Sequence, residues 1–576
     1  MDKNAVALVL SEIGTLLELQ GENRFKARAF LMAARAVEKL DRNLADLVRA
    51  GRLREVPGIG PATAAVVREL VETGTSRYYR DLRARTPSGM RELLAVPGLG
   101  ARKVRELHEK LGIESIADLE VAAAEGRIAQ LRGFGKRTQD RLAAGVDFVR
   151  GATGRRRLSQ TLEPAGRVLG YLRALPVVRR VELAGEMRRW LETVSGIELV
   201  ASAARADIAA VLDAFVAMPG MADGGRARDE AVSQLADGLA LRIRCVGPAA
   251  FPTAWVLRTG SEAHLAELSA HAAGLGLRLE NDGLYRGARR LSPRSEQAFY
   301  SALSLEWIAP ELREGGGEVA AAAASELPRL VRYEDLRGCF HCHTTYSDGR
   351  STMAELAERA AALGWRYLGI ADHSQAAGYA GGLTPDELLR QHEEIDRWNE
   401  QHGQRVHVLK GVEADILSDG RVDYEQFGDR VLGSLDYVVA SVHSGFRMDR
   451  AQMTARFLRA LDNPHVSILG HLTGRLLLTR EGYDVDIEAV VAAAAERGVA
   501  IEVNSDPFRM DLDWRYWRSA RRLGARAAIN PDAHSVRALD NVRLGTTFAR
   551  KGWLAADDVV NAWSLEDALA FFRGRN

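Results

Sequence analysis

Histidines and acidic residues recur directly after short apolar segments in the C-terminal part of the chain. Ten of the thirteen histidines lie after residue 333, and six of them follow such a segment. Imidazole and carboxylate groups without thiolate are a ligand set that suits Mn²⁺, Zn²⁺ or Fe²⁺. Buried ionisable groups need partners, and bound cations supply them. The residues that form this pattern are His341, His343, Asp348, His373, Glu413, His443, His471, Asp532 and His534.

The apolar segments alternate with amphipathic stretches of helical spacing, about seven times over. This alternation predicts an α/β barrel or a parallel sheet. In a barrel of this kind the carboxyl ends of the strands converge on one mouth. Nine candidate ligands are too many for one ion, so we expect two or three. The segments expected as strands are RGCF, YLGIA, HVLKGVEA, YVVASV, SILG, AIEV and AAIN.

These strand-end motifs resemble those of the PHP (polymerase and histidinol phosphatase) domain. The matching motifs are HCHTTYSDG, ADHS, GVEAD, SVHS, GHLTGR and PDAHS. The resemblance implies a distorted (β/α)7 barrel over residues 333–576, with a trinuclear catalytic centre whose metal ligands are the nine residues named above. It also implies a phosphoesterase, for which Mn²⁺ is the first choice and Zn²⁺ or Fe²⁺ the alternatives. Arg475 and Arg509 lie beside these motifs, where they would either hold phosphate or form surface salt bridges.

Three glycine-containing segments repeat near the N-terminus: VPGIGPATA, VPGLGARKV and LRGFGKRTQ. They lie in or near a basic stretch, since residues 51–160 hold 21 Lys and Arg against 13 Asp and Glu. Glycines here permit a tight turn, and the following helix offers free N–H groups to a phosphate. The segments resemble helix-hairpin-helix motifs, which implies DNA-backbone binding; a solvated basic surface is the alternative. The candidate DNA-binding residues are Gly58, Gly60, Gly98, Gly100, Lys103, Gly133, Gly135 and Lys136.

Much of the remaining chain resembles family X DNA polymerases. GENRFKARAFLMAARAVEKL matches the N-terminal domain, VELAGEMRRWLETVSGIELV the palm, and EWIAPELREG the end of the thumb. The resemblance implies an all-α region over 1–155 and an α+β palm and thumb over 156–312. Nucleotidyl transfer needs two Mg²⁺ ions held by carboxylates, three of them in this family. The corresponding positions are Gly196, Glu198 and Arg242, so we expect a palm that holds DNA but is catalytically silent.

The overall composition agrees with a multidomain protein. A chain of 576 residues is too long for one core. The segment 313–332 is rich in Gly and Ala, which predicts an interdomain linker. Three cysteines without a disulfide pattern and the lack of a long apolar segment predict a cytoplasmic protein without a membrane anchor. We expect a monomer.

Together these patterns predict a DNA-repair enzyme that acts as a metal-dependent 3′→5′ exonuclease or phosphodiesterase on gapped or primer-template DNA. Three alternatives stay open. The first is a gap-filling polymerase whose PHP domain proofreads, and the second is a DNA-binding scaffold without turnover. The third is a phosphatase for small monoesters, since the same metal chemistry serves both reactions.

Overall fold

The computed structural model describes residues 1, 3–38, 40, 44–280 and 283–574. The chain divides into two compact units, Met1–Thr153 and Gly154–Asn576. Within the described ranges no helix combines the length and apolar character needed to cross a bilayer. All three cysteines are buried and free.

The first unit is entirely helical, which confirms the all-α expectation. Its core is formed by buried Leu, Val, Ile and Ala side chains that recur along one face of each helix. Each of the three glycine-containing segments follows a short 3₁₀ turn and leads into a helix. The helices are α1 (Lys3–Leu19), α2 (Arg24–Glu38), α3 (Leu44–Arg49), α4 (Pro61–Thr73), α5 (Arg77–Arg85), α6 (Ser88–Glu92), α7 (Ala101–Leu111), α8 (Ile116–Ala124) and α9 (Lys136–Ala152).

The first half of the second unit mixes helices with three small sheets. One sheet has five strands in the order β2-β4-β7-β6-β5, the second is the antiparallel β8-β9-β10, and the third pairs β1 with β3. Its strands are β1 (Arg156–Arg157), β2 (Val178–Ala184), β3 (Thr193–Val194), β4 (Gly196–Ala203), β5 (Gly225–Ala227), β6 (Glu230–Gln234), β7 (Ala240–Val246), β8 (Leu277–Glu280), β9 (Gly283–Arg286) and β10 (Arg289–Leu291). Its helices are α10 (Leu158–Arg173), α11 (Gly185–Arg188), α12 (Ile208–Val216), α13 (Phe251–Thr259), α14 (Glu262–Gly274), α15 (Glu296–Ala302) and α16 (Glu318–Ala324).

The segment 313–332, which its composition led us to expect as an interdomain linker, is a closely packed connection that is partly helical. It contains α16, and Arg313 and Glu318 are fully buried. Val319 and Ala322 of this helix belong to the same apolar cluster as Trp553 of the C-terminal domain. The Gly and Ala residues therefore serve close packing, because small side chains let the backbone approach its neighbours.

The second half of the second unit is a parallel sheet of seven strands in sequential order, β11 to β17. The last strand lies beside the first, where the His343 N–H donates to the Ala533 carbonyl, so the sheet nearly closes into the expected barrel. The strands are β11 (Gly338–Cys339), β12 (Tyr367–Ile370), β13 (His407–Asp415), β14 (Tyr437–Ser441), β15 (Ile468–Leu469), β16 (Ala500–Asn504) and β17 (Ala527–Asn530).

Helices cover the outside of this barrel. Strands β12, β14 and β16 are buried along their whole length, as expected when side chains pack on both faces. Capping boxes formed by Thr352 with Glu355 and by Thr384 with Glu387 begin two of the helices. The helices are α17 (Met353–Ala362), α18 (Pro385–His402), α19 (Arg450–Leu461), α20 (Ile487–Glu496), α21 (Trp514–Arg522), α22 (Val542–Lys551) and α23 (Leu565–Arg573).

Candidate metal centre and nucleic-acid interface

All nine sequence-predicted ligands meet at the carboxyl ends of the barrel strands. His341 and His343 follow β11, and His373 follows β12. Glu413 lies near the end of β13, while the remaining histidines and acids follow β14, β15 and β17 or lie on the loop after β11. Parallel strands in sequential order place all these ends at one mouth, which is why residues nearly 200 positions apart in sequence are neighbours here.

The Glu413 carboxylate is the hub of the cluster. Its Oε1 lies 3.0 Å from His471 Nε2 and 3.3 Å from His443 Nε2. Its Oε2 lies 2.9 Å from His373 Nδ1 and 3.5 Å from His341 Nε2. One fully buried carboxylate thus faces imidazoles from four different strand ends.

Asp532 and Asp348 extend the cluster from this hub towards the mouth. Asp532 Oδ1 lies 3.2 Å from His343 Nε2. Asp348 Oδ1 lies 3.3 Å from His534 Nε2 and 3.7 Å from His373 Nε2. Three overlapping groups result, and in each the ligand atoms lie within 4.8 Å of one another. The groups are His343, Asp348, His373 and His534; His341, His343 and Glu413; and His373, Glu413 and His443.

Two further carboxylates orient histidines of the cluster. The Nδ1–H of His341 donates to Glu502 over 2.6 Å, and the Nδ1–H of His443 donates to Asp415 over 2.6 Å. Such outer carboxylates fix the ring orientation and leave the other nitrogen for a metal ion. Sequence reasoning did not assign these two roles. Asp415 could have been found, because it follows Glu413 by two positions in β13 and so faces the same side.

A third buried acid, Asp372, holds the loop that carries Asp348. It accepts hydrogen bonds from the Thr344 N–H over 2.8 Å and from the Ser347 hydroxyl over 2.5 Å. The Gln391 amide donates to it from α18 over 2.6 Å. These contacts fix the loop while the Asp348 carboxylate itself stays partly exposed at the rim.

The mutual charges of the cluster keep its acids ionised. Burial alone would raise the pKa of Glu413, but His443, His341 and His373 outweigh burial and hold it well below its usual range. Burial would lower the pKa of His341, yet Glu502, Glu413 and Asp532 raise it well above its usual value. A pocket that favours an imidazolium in this way also favours a bound cation.

The donor set fits divalent metal ions. Within the described residues, His341 Nε2 and both ring nitrogens of His343 are buried without a hydrogen-bond partner. A buried nitrogen of this kind costs free energy unless something binds it. Six imidazoles and three ionised carboxylates, with no cysteine among them, match the preferences of Mn²⁺, Zn²⁺ and Fe²⁺. The site can therefore hold metal ions.

The two candidate phosphate ligands differ in their surroundings. Arg509 lies at the cluster, with its Nε 3.5 Å from Asp532 Oδ2. Arg475 instead donates to Asp513 over 2.5 Å and to the backbone carbonyls of Arg509 and Met510. The Arg475 guanidinium therefore forms an ion pair, which was the alternative expected from the sequence, and it shapes the loop that carries Arg509.

The three palm positions at which the sequence led us to expect polymerase carboxylates lie together in the five-stranded sheet. Strands β4 and β7 are parallel neighbours, and Glu198 is paired in register with Arg242. Gly196 lies against β7 so closely that an added Cβ would stand 2.6 Å from the Ala240 carbonyl oxygen. Burial raises the pKa of Glu198, which weakens it further as a metal ligand.

Nearby arginines of the palm are used in internal ion pairs. Arg188 makes two hydrogen bonds to Glu296, of 2.8 and 2.6 Å, and Arg313 adds a third of 2.8 Å. Arg189 pairs with Glu314 over 2.9 Å. These cations support the fold of the palm and thumb.

The three hairpins of the first unit have the geometry expected from their sequence. Gly58, Gly98 and Gly133 have φ of +93°, +86° and +92°, which only glycine adopts without strain. The second glycine of each motif directly precedes a helix, and an added Cβ there would meet no atom within 4 Å. Internal packing therefore does not demand the second glycine, whereas close approach of an external phosphate backbone would. The second glycines are Gly60, Gly100 and Gly135.

Two lysines flank these turns. Lys103 lies in the first turn of α7 and its Nζ donates to the Gly98 carbonyl over 3.1 Å. Lys136 is the first residue of α9 and is exposed. Both lie where a phosphate bound at the helix N-terminus would be within reach of a cation.

Four family models match separate parts of the chain. A helix-hairpin-helix domain matches residues 1–76, and a SAM-like helix-hairpin-helix tandem matches 90–145. A DNA polymerase beta thumb matches 254–314, and a PHP domain matches 340–506. These matches agree with the helical, thumb and barrel regions of the structure, and the first three imply DNA binding.

Comparison with curated proteins gives a relative that matches over the full length of both chains. The chain is 33% identical over 577 residues, covering all of both chains, to the DNA polymerase/3′-5′ exonuclease PolX of Bacillus subtilis. The barrel region alone is 31% identical over 213 residues to a probable phosphatase of Caldanaerobacter subterraneus, covering 34% of this chain and 74% of that protein. A probable phosphatase of a Shewanella species is 35% identical over 138 residues, 22% of this chain and 51% of that protein.

Proposed function

Because the chain belongs to the PolX family of family X DNA polymerases with a PHP domain, we propose that its barrel is a metal-dependent 3′→5′ exonuclease and its palm a silent DNA-holding scaffold. The observation that carries this proposal is the contrast between the two centres. All nine candidate ligands converge in the barrel, whereas Arg242 is the neighbour of Glu198 in the palm. The substrate we propose is the 3′ end of gapped or primer-template DNA.

The nine residues of the cluster are the groups that would hold two or three divalent ions, with Mn²⁺ as our proposal. Such ions, when bound, lower the pKa of water and stabilise negative charge on the oxygens of a phosphodiester. His341 and His443 are oriented for this role by Glu502 and Asp415.

Other residues of the mouth would act on the substrate directly. Arg509, beside Asp532, is placed to pair with a phosphate oxygen, and its planar guanidinium suits that geometry. The loop held by Asp372 sets the position of Asp348 at the rim, where a DNA end would enter. The inner residues His341, His343 and Glu413 are buried, which strengthens each electrostatic contact there.

The remaining parts of the proposal concern binding and location. The hairpin glycines and lysines of the first unit would grip the DNA backbone without reading sequence, so binding should weaken with added salt. We further propose that the protein acts as a monomer in the cytoplasm, where free buried cysteines are the usual state.

Nuclease assays on single substitutions test the proposal. His341→Ala in the full-length protein should abolish Mn²⁺-dependent shortening of a 5′-labelled oligonucleotide. His465→Ala is the matched control, because His465 is a barrel histidine that pairs with Asp429 outside the cluster. Unchanged activity in His341→Ala would overturn the proposal, and binding of DNA and metal without any product from the wild type would favour a scaffold.

A gap-filling polymerase with a proofreading barrel is the second candidate. The full-length similarity to a protein named as both polymerase and exonuclease favours it. Glu198 alone cannot hold two Mg²⁺ ions, so another acid would have to complete the palm site. Template-dependent primer extension that survives His341→Ala would support this candidate.

A phosphatase for small monoesters is the third candidate, favoured by the two relatives named as probable phosphatases. Release of inorganic phosphate from nucleoside monophosphates, without cleavage of internucleotide bonds, would support it. Cleavage of internucleotide bonds that is lost in His341→Ala would argue against it.

A further inference from the structure

An exposed tyrosine lies beside the candidate metal centre and has no role in the proposal so far. Tyr379 is 71% exposed, more than any other tyrosine among the described residues. Its ring centroid lies 6.2 Å from that of His373 and 6.3 Å from that of His443. The ring therefore borders two candidate ligands while most of its surface is open to solvent.

The loop that carries Tyr379 is firmly anchored. Ala377 and Ala380, which come before and after Tyr379 in the sequence, are buried. Backbone N–H groups of the loop donate to the Tyr424 hydroxyl over 3.2 Å and to Asp423 over 2.8 Å. The Leu383 N–H closes the loop by donating to the His373 carbonyl over 2.9 Å. The exposed ring thus stands on a fixed support, joined directly to a ligand residue.

Packing within the protein does not account for this placement. The Tyr379 hydroxyl makes no hydrogen bond to any described residue, and the apolar contacts of the loop are made by the buried Ala377 and Ala380 while the ring is exposed. A single exposed aromatic residue needs no explanation elsewhere on a surface. Beside a centre that binds phosphodiesters, however, a fixed and open ring face is suited to stacking on a nucleobase, which every nucleotide presents.

We propose that Tyr379 is a positioning residue that stacks on the unpaired terminal base of the DNA strand whose phosphodiester lies at the metal centre. This inference rests on the proposed exonuclease function and narrows its substrate class. The barrel would take nucleotide ends that are frayed or single-stranded, because a paired base cannot offer a free face to the ring. Phosphate esters without an aromatic ring would lose this contact.

The stacking is tested by comparing two proteins on two DNA substrates. Wild type and Tyr379→Ala are each assayed with Mn²⁺ on two single-stranded oligonucleotides, one normal and one whose terminal nucleotide lacks a base. On normal DNA, Tyr379→Ala should raise KM about tenfold, as expected for loss of one base–aromatic contact, with little change in kcat. On the abasic oligonucleotide the two proteins should have the same KM. Tyr379→Phe should behave as wild type on both.

A matched control separates stacking from a general effect of removing an exposed ring. Phe427 is 41% exposed in the same barrel and its ring contact is with Tyr424, 6.3 Å away. Phe427→Ala should leave both KM values unchanged. Equal slowing of both oligonucleotides by Tyr379→Ala, or a fall in kcat alone, would mean that the ring only supports His373 and His443, and would overturn the inference.

A binding measurement decides the inference even if the exonuclease proposal fails. An oligonucleotide with terminal 2-aminopurine should lose fluorescence on binding the Mn²⁺-loaded wild type and Tyr379→Phe, but not Tyr379→Leu. Absence of cleavage by the wild type would reject the exonuclease alone. Cleavage with equal quenching by wild type and Tyr379→Leu would reject the stacking alone.

Discussion

The barrel mouth and the palm sheet both carry acidic residues, but the groups that lie beside these residues differ in charge. In the barrel, the buried Glu413 faces four imidazoles, and neither Lys nor Arg is among its closest partners in the described residues. In the palm, Glu198 lies in register with Arg242, and in the adjoining thumb region Glu296 is held by Arg188 and Arg313. The palm balances its charges internally, whereas the barrel leaves negative charge for a cation to balance.

A domain can keep its fold while the side chains that would carry its chemistry change. On our proposal two of the three carboxylate positions of the palm hold Gly196 and Arg242, and yet its five-stranded sheet and its apolar core are present. Core residues fix the strands, and the side chains at the strand ends can change without loss of the fold. We propose that the barrel has kept both its fold and its chemistry.

The largest expected effect is on stability, and it tests whether charges in the palm and thumb serve folding. Burial would raise the pKa of Glu296, but Arg188 and Arg313 lower it to about 2. Glu296→Gln leaves two buried guanidinium groups unpaired, so the free energy of unfolding should fall by about 3–5 kcal/mol at pH 7. Denaturant unfolding of the full-length protein measures this loss.

The same variant has a defined pH dependence. The pKa of this carboxyl is lower in the folded protein, so its stabilising contribution is present above the unfolded pKa of about 4.5 and is lost as the pH falls towards 2. The difference between wild type and Glu296→Gln should be constant from pH 8 to 5 and smaller at pH 3. A difference that grows on acidification would contradict the ion-pair account.

The next largest effect is on the barrel chemistry. Glu413→Gln keeps the shape of the hub but removes its charge, so bound Mn²⁺ and nuclease activity should fall by at least about 100-fold. Metal analysis after gel filtration and oligonucleotide cleavage measure the two losses. Full metal content with full activity would show that Glu413 is not a ligand.

A smaller loss is expected when an outer carboxylate is changed. Glu502→Gln removes the negative charge from the group that accepts the His341 Nδ1–H, and we expect metal affinity or activity to fall about 10- to 100-fold. Added Mn²⁺ should restore part of the activity of this variant but not of Glu413→Gln. Equal behaviour of the two variants would contradict the distinction between ligand and support.

The smallest effect is expected in the palm. Arg242→Ala removes the cation beside Glu198 without touching the barrel, so nuclease activity should stay within about twofold of the wild type. The variant should also gain no primer extension, since one acid does not form a two-metal site. Extension by Arg242→Ala would mean that the palm needs only this change to work.

Sequence reasoning predicted most of the barrel site because strand-end position alone brings residues together. His341 and Asp532 are far apart in sequence, but parallel strands made their meeting predictable. The carboxylates that orient the histidines were harder to predict from the sequence. Glu502 is recognised as the partner of His341 only once the distance between β11 and β16 is known.

Other features depended on contacts that no local pattern encodes. Arg475 lies beside a ligand motif, but its pairing with Asp513 depends on how two distant loops fold together. The Gly- and Ala-rich segment around α16 has a linker composition, yet Glu318 is buried there against His264. Tyr379 gave no signal in the sequence, since only the structure shows that its exposed ring borders His373.

The most direct test of the central claim is one reaction that offers both chemistries at once. The purified protein is incubated with Mn²⁺, a 5′-labelled gapped primer-template and all four dNTPs, and the products are resolved by length. Shortened primers, absent in His341→Ala, are the predicted result and make the barrel the working catalyst. Lengthened primers would contradict the account, because the palm would then hold a complete metal site despite Gly196 and Arg242.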